Sequence, residues 1–398
     1  MSMVAGYKNA IVLALVAVPM TGGSVFMVIL AGIVGASLAP HGSLSTLPLS
    51  LVVVATALST IPATWIMSRV GRKKGFFLAV AIGVLSALLG SYAISQSNFL
   101  VFCLASSGIG AKLAFVQQFR FAAAESVDIS RSGTAISVVL LGSIGGAFVG
   151  PAIANQTWFA SPVEHQGSFI LLAYSYLVVV FLLFFYKDSL AQNVPGKTNS
   201  PPLPISSLFS RPMIVIAILA GIVGQATMAF VMTATPLSMH VMNDFSLQET
   251  ASVIRSHVIA MYLPALVTGV LVDKLGARLI ISIGVVANLL TLVIGLQGHA
   301  YLHYWWALVL LGVGWNFMFV GGTTLLVKSI TDSEKFKAQS INEFLVFGVS
   351  AFASLLAGSI VHWYGWSMIL FASVPGLLIM LFVLVFVYKK NDQVTAAI

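Results

Sequence analysis

A lysine flanked on both sides by apolar and small residues is the first chemically informative feature of this 398-residue chain. Lys112 lies in the apolar run 98–124, fourteen residues after its start and twelve before its end. At 1.5 Å per helical residue it is roughly 18–21 Å from either end, farther than a lysine stem can reach toward water. A charge held so deep in hydrocarbon needs a partner or a job. The functional reading is an anion-binding or coupling lysine, and the structural one is pairing with carbonyls or hydroxyls. Arg255 is only about six residues into its own run, which suits snorkelling or a gate as well as solute binding. His257 follows two residues deeper, then Tyr262 and Pro264. Histidine titrates near neutrality and can carry a coupled proton, although a hydrogen-bonded packing histidine answers the same pattern. Glu343, beside Asn342 at the start of a late apolar run, can take a proton from the cytoplasmic side; its other reading is a helix N-terminal carboxylate facing the dipole or the Arg72 loop.

Absences narrow the chemistry. Of the eleven acidic residues, none falls at the centre of an apolar run. The deep charges are positive, which favours an anionic or polar neutral solute over a cation. Neither paired carboxylates nor a Ser/His/Asp set near one interface is evident, so no enzyme is expected. No Walker-type loop is present to bind ATP. Met228, Met232, Met239 and Met242 with His240 invite a soft-metal reading, but no Cys or carboxylate cluster accompanies them, and no metal or cofactor is expected. The one cysteine, Cys103, can form no internal disulfide.

The elements that position these residues follow from composition. The chain is 59% hydrophobic and 8% charged, with a mean hydropathy of +1.02. Such a chain cannot clothe a single core with a water-compatible surface. Apolar runs fall at 9–36, 44–67, 75–95, 98–124, 133–156 and 167–186, then at 211–240, 249–272, 278–297, 302–329, 338–362 and 366–388. That pattern predicts an all-α membrane protein with twelve transmembrane helices in two six-helix bundles, 1–186 and 211–398, joined by a proline-rich cytoplasmic linker at 187–210. The first run is too long for a signal peptide and lacks a cleavage pattern. Numbered alternately, the loops place every Lys and Arg except Lys112 and Arg255 on one side, which predicts cytoplasmic N and C termini. The net charge of +8 therefore reports orientation, and no nucleic-acid partner is expected. The halves echo each other: Ser68-Arg69-Val70-Gly71-Arg72-Lys73 and Asp273-Lys274-Leu275-Gly276-Ala277-Arg278 occupy corresponding loops. Two halves of six spans share one orientation, and a cavity is expected where they meet near the midplane.

Gly269-x-Leu271-x-Asp273-Lys274-x-Gly276-x-Arg278 resembles the signature loop of the major facilitator superfamily of secondary transporters. The first-half copy departs from it at Thr64 and Ser68, where a glycine and an acidic residue are usual. The segments Phe119–Glu125, His257 with Met261-Tyr262-x-Pro264, Gly314-Trp315-Asn316 and Gln339-x-x-Asn342-Glu343-Phe344 resemble an uncharacterised bacterial branch. The resemblance implies that these loops, through Ser68, Arg69, Gly71, Arg72, Asp273, Gly276 and Arg278, latch the cytoplasmic side. It also implies that spans one, four, seven and ten line the cavity, which adds Thr21, Gln225, Trp315 and Asn316 as solute-facing candidates. Gly142, Gly145, Gly146, Gly150 and Pro151 are similar to a helix of drug/proton antiporters, but small residues also let helices pack closely. The expectation is a gradient-driven, alternating-access carrier of a small anionic or polar solute, coupled to protons, in the bacterial inner membrane and monomeric. A drug or metabolite efflux antiporter and a non-transporting ligand-sensing receptor are the alternatives.

Overall fold

The computed structural model describes residues 7–41, 44, 47–154, 163–188 and 208–387. Most of the expected linker 187–210 lies outside the described residues. The first part of the chain forms α1 (Lys8–Leu38), α2 (Leu47–Val70), α3 (Arg72–Ser95), α4 (Phe99–Val116), the short α5 (Phe119–Ala124), α6 (Ser132–Ala154) and α7 (Gln166–Phe184). There follow α8 (Pro212–Pro236), α9 (Leu247–Tyr262), α10 (Ala265–Leu275), α11 (Ala277–Leu296), α12 (Tyr301–Ser329) and α13 (Lys335–Phe382). Among the described residues eleven helical segments are long and apolar enough to cross a membrane. The last of them is broken at Gly365, with φ 78° and ψ 179°, so it supplies two crossings and the total agrees with twelve spans.

Where the helices break, the sequence gives a physical reason. The run 249–272 divides at Leu263–Pro264, as expected where proline removes a backbone donor. The run 98–124 divides at Gln117–Gln118, below Lys112. Asn98 caps α4 by accepting from the Val101 amide at 3.1 Å, and Ser246 with Glu249 forms a reciprocal capping box on α9.

The chain clusters into two compact units. The first comprises Met1–Val127, Val138–Thr198 and Gln339–Phe344; the second comprises Asp128–Ser137, Asn199–Ala338 and Leu345–Ile398. In the first unit the glycines of α6 meet α1 closely: a methyl at Gly145 would lie 2.8 Å from Val18, and one at Gly150 2.6 Å from the Gly22 carbonyl. Close helix packing therefore accounts for this stripe.

The repeated loops share a backbone conformation. Gly71 has φ 88° and ψ 163°, and Gly276 has φ 86° and ψ 151°, a region essentially closed to residues with a side chain. Each ends one helix and starts the next within a residue. A Cβ at Gly276 would meet nothing within 4 Å, so Gly276→Ala is expected to destabilise the protein by about 1–3 kcal/mol through backbone strain alone. A melting temperature unchanged in that variant would show that the turn relaxes.

Candidate functional site

In the first unit, Lys112 is wholly buried on α4. Its ammonium donates to the Met20 carbonyl of α1 at 2.6 Å and to the Tyr176 hydroxyl of α7 at 3.1 Å. The α1, α2, α3, α4 and α7 segments around it contain no Asp or Glu. The only charge in the middle of this helix set is thus held by neutral acceptors. Gly83 makes room: a Cβ there would lie 3.1 Å from Lys112 Cδ and 3.0 Å from the Tyr176 ring. Thr21 donates to Ala17 and packs beside Gly146, so its hydroxyl is committed within α1.

The same unit holds a buried ionic network that the sequence reading did not assemble. Arg120 of α5 pairs with Glu343 of α13 and also donates to Gln117 Oε1 at 3.0 Å. Asn342 Nδ2 donates to the same oxygen of Glu343 at 2.8 Å, while Glu343 Oε2, on a wholly buried residue, has no hydrogen-bond partner among the described residues. Arg72 contacts Glu125 at 2.6 Å, Gln118 at 3.0 Å and Gln339. The partner of Glu343 is therefore Arg120, and the Arg72 loop is engaged by Glu125. The Gln118-Phe119-Arg120-Phe121 sequence was the available signal: an arginine between two large apolar residues is placed for burial.

The two loop copies differ in what their side chains do. Asp273 accepts from the Gly133 amide at 3.1 Å, the Thr134 amide at 2.8 Å and the Thr134 hydroxyl at 2.9 Å, at the N-terminus of α6, and Lys328 approaches it at 3.2 Å. A carboxylate there satisfies orphan helix donors and complements the helix dipole. Asp273→Ala is expected to cost about 1–2 kcal/mol, read as a lower melting temperature, whereas Asp273→Asn should recover part of that loss. Ser68 bonds only the Trp65 carbonyl in its own helix, and Arg69 lies over the Trp65 ring. Beside Gly71, Asp188 accepts from the Lys73 amide at 3.0 Å and so supplies a carboxylate to the start of α3. Arg278 begins α11. In the loop before α13, Glu334 pairs with Arg211 at 2.7 Å; burial pushes its carboxyl up, but hydrogen bonds from Arg211 and Thr331 outweigh this and hold it below the usual range.

The second unit brings three sequence candidates together. Trp315 of α12 donates through Nε1 to Gln225 Oε1 of α8 at 2.6 Å. Its ring stacks on Phe319 with centroids 4.6 Å apart and meets Tyr262 of α9 edge-on at 5.8 Å. Because the Gln225 oxygen is taken, its amide N–H groups remain to donate. Asn316 and His257 serve the backbone instead. Asn316 donates to the Met261 carbonyl at 2.7 Å and accepts from Thr268 at 2.7 Å. His257 Nδ1 lies 2.8 Å from the Leu308 carbonyl, which can only accept, so the proton sits on Nδ1 and Nε2 is a bare acceptor. That nitrogen is buried with no partner among the described residues. Arg255 is exposed and lies in no ion pair among them.

Long apolar helices that bury hydrogen-bonded polar groups define a multi-pass membrane protein. The chain belongs to the Major Facilitator Superfamily, whose family model matches residues 11–254 and 226–397. It is 33% identical over 366 residues to the riboflavin transporter RfnT of Brucella anthropi, covering 92% of each chain. It is 30% identical over 361 residues to the uncharacterized MFS-type transporter YdeG of Bacillus subtilis, covering 87% of this chain and 83% of that one. The crystal structure of the human organic anion transporter MFSD10 superposes with a TM-score of 0.74 over 96% of this chain and all of that one, at 13% identity. That likeness shows the fold. The chain is a transporter of this family, and its fold is one of carriers rather than of enzymes.

Proposed function

We propose that the chain is a gradient-driven, alternating-access carrier of a small planar, polar solute of the flavin kind. The observation that carries this reading is the Trp315–Phe319–Tyr262 aromatic group with the Gln225 amide at its edge. A flat ring system stacks on such a surface while carbonyls on its rim accept from the amide. The likeness to a riboflavin transporter supports the same solute class. Lys112 is held by Met20 and Tyr176, which favours a polar neutral solute over a free anion; an anionic group would have to replace one of those acceptors.

Glu343 is the preferred proton carrier. Its Oε1 is occupied by Arg120 and Asn342, and its Oε2 is left open to a proton. Of the gate-loop residues, Asp273 of α10 is the one whose contacts, with the start of α6, fit a latch; Gly276 and Arg278 shape its own turn, and Ser68, Arg69, Gly71 and Arg72 the corresponding turn of the first unit. These loops and both termini are assigned to the cytoplasmic side, from the sorting of basic residues.

Uptake of radiolabelled riboflavin into proteoliposomes tests the reading. Trp315→Ala is expected to raise KM about tenfold, the effect of roughly 1.4 kcal/mol of lost stacking and burial. An unchanged KM would remove the aromatic group from the solute path.

A further inference from the structure

In the second unit, well away from the Trp315 group, three breaks in helical structure border an open cavity of about 260 Å³. The first is the π-helical turn Leu237–Met242 that ends α8. The second is the turn before α12, where Gly298 has φ 157°. The third is the break of α13 at Gly365, where an added Cβ would meet nothing within 4 Å. Ser238, Asn243, His299, Tyr364 and Ser367 supply its polar lining, and the exposed Met242 with a narrow edge of the buried Trp366 its apolar part. Tyr304, beneath this lining, lies eleven residues from Trp315 on α12, roughly 16 Å along the axis. The cavity is therefore separate from the site above.

Its polar groups are held in place from below. The Tyr304 hydroxyl lies 2.6 Å from Ser238 Oγ, 3.3 Å from Asn243 Nδ2 and 3.1 Å from His299 Nδ1. Asn243 Nδ2 also donates to the Ser238 carbonyl at 2.7 Å, so both its N–H groups are committed and its Oδ1 is presented as an acceptor. The Trp366 N–H is taken by the Gly295 carbonyl at 3.1 Å, which fixes the ring plane. Tyr364 and Ser367 are exposed, and their hydroxyls can donate or accept. Among the described residues no Lys, Arg, Asp or Glu lines the space.

We propose that this cavity is a binding site for a neutral polyhydroxylated small molecule. Hydroxyl groups of the ligand donate to the Asn243 oxygen and exchange hydrogen bonds with the outer His299 nitrogen, Ser367 and Tyr364. The apolar edge of a carbon chain or sugar ring lies against Met242 and the Tyr364 ring, both exposed, as apolar walls and convergent polar groups select such ligands. A carboxylate or phosphate finds no cation here, and an ammonium no carboxylate.

The test is calorimetric titration of the purified full-length protein with ribitol, and with ribonate as its anionic counterpart. Saturable ribitol binding is expected, weakened at least tenfold in Asn243→Ala and in Ser367→Trp, which closes the mouth from an exposed position. Trp315→Ala should bind ribitol as the unaltered protein does, and this separates the site from the proposed carrier function, since failure of riboflavin flux would leave ribitol binding intact. Absence of saturable ribitol binding by protein with a normal melting transition would overturn the proposal. So would tighter binding of ribonate, or ribitol binding untouched in both cavity variants.

Discussion

Lys112→Ala is expected to reduce solute flux by about a hundredfold or more while the protein still inserts and purifies. The substitution removes a buried charged donor and strands two acceptors, the Met20 carbonyl and the Tyr176 hydroxyl, that link α1 and α7 to α4. Losing hydrogen bonds to a charged group costs about 1.5–3 kcal/mol, and each acceptor left unsatisfied in a dry site adds to that. Lys112→Met separates structure from function, because it keeps the length of the side chain and discards the charge. If the lysine only braces three helices, Lys112→Met should melt lower, because the same two acceptors lose their donor, and the protein that remains folded should transport well. If the ammonium takes part in the cycle, the folded Lys112→Met protein should still fail to transport. We expect the second outcome, because no carboxylate in the surrounding helices offsets the charge, and a bracing role alone is met more cheaply by an uncharged residue. Full activity in both variants would remove Lys112 from the mechanism.

Glu343→Ala should be the most destabilising single change in the first unit. It leaves the buried Arg120 guanidinium without a carboxylate, and breaking such a pair from one side costs about 3–5 kcal/mol. Glu343→Gln keeps an oxygen for Arg120 and Asn342, and is expected to fold with a smaller loss. The two variants therefore answer different questions. Glu343→Ala reports the pair as a structural tie, seen as a large fall in melting temperature that Arg120→Met in the same chain should partly restore. Glu343→Gln reports coupling: solute exchange should persist while uptake driven by a proton gradient is lost. Gradient-driven uptake that survives in Glu343→Gln would assign the proton to another group or to none.

Much of the fold was readable before any coordinates. The crossings follow from hydrocarbon thickness and the scarcity of charge, and the twelve runs match the helices closely at most ends. Two breaks were harder to see. Nothing in a run of apolar residues marks Gln117–Gln118 as a helix interruption, and Gly365 reads as an ordinary short loop rather than as a kink inside one long helical segment. In the site, the residue type of Lys112 announced a buried charge, but its partners did not follow from sequence. Tyr176 is 64 residues away, and Arg120 and Glu343 are 223 apart. Periodicity tells which face a side chain occupies and not which helix it faces. For Asn316 and His257 the residue type left two readings open, and the structure adds that each bonds a backbone carbonyl on a neighbouring helix, while His257 Nε2 keeps no partner among the described residues. Asp273 was the favourable case, because a helix start offers several unpaired N–H groups and a nearby carboxylate has an evident place to go.

Purified protein reconstituted into liposomes should accumulate radiolabelled riboflavin saturably under an imposed proton gradient, should be inhibited by excess unlabelled flavin, and should lose this activity in Lys112→Met. Absence of saturable flux in proteoliposomes whose protein still binds riboflavin and melts normally would contradict the carrier account and favour a sensing role for this fold.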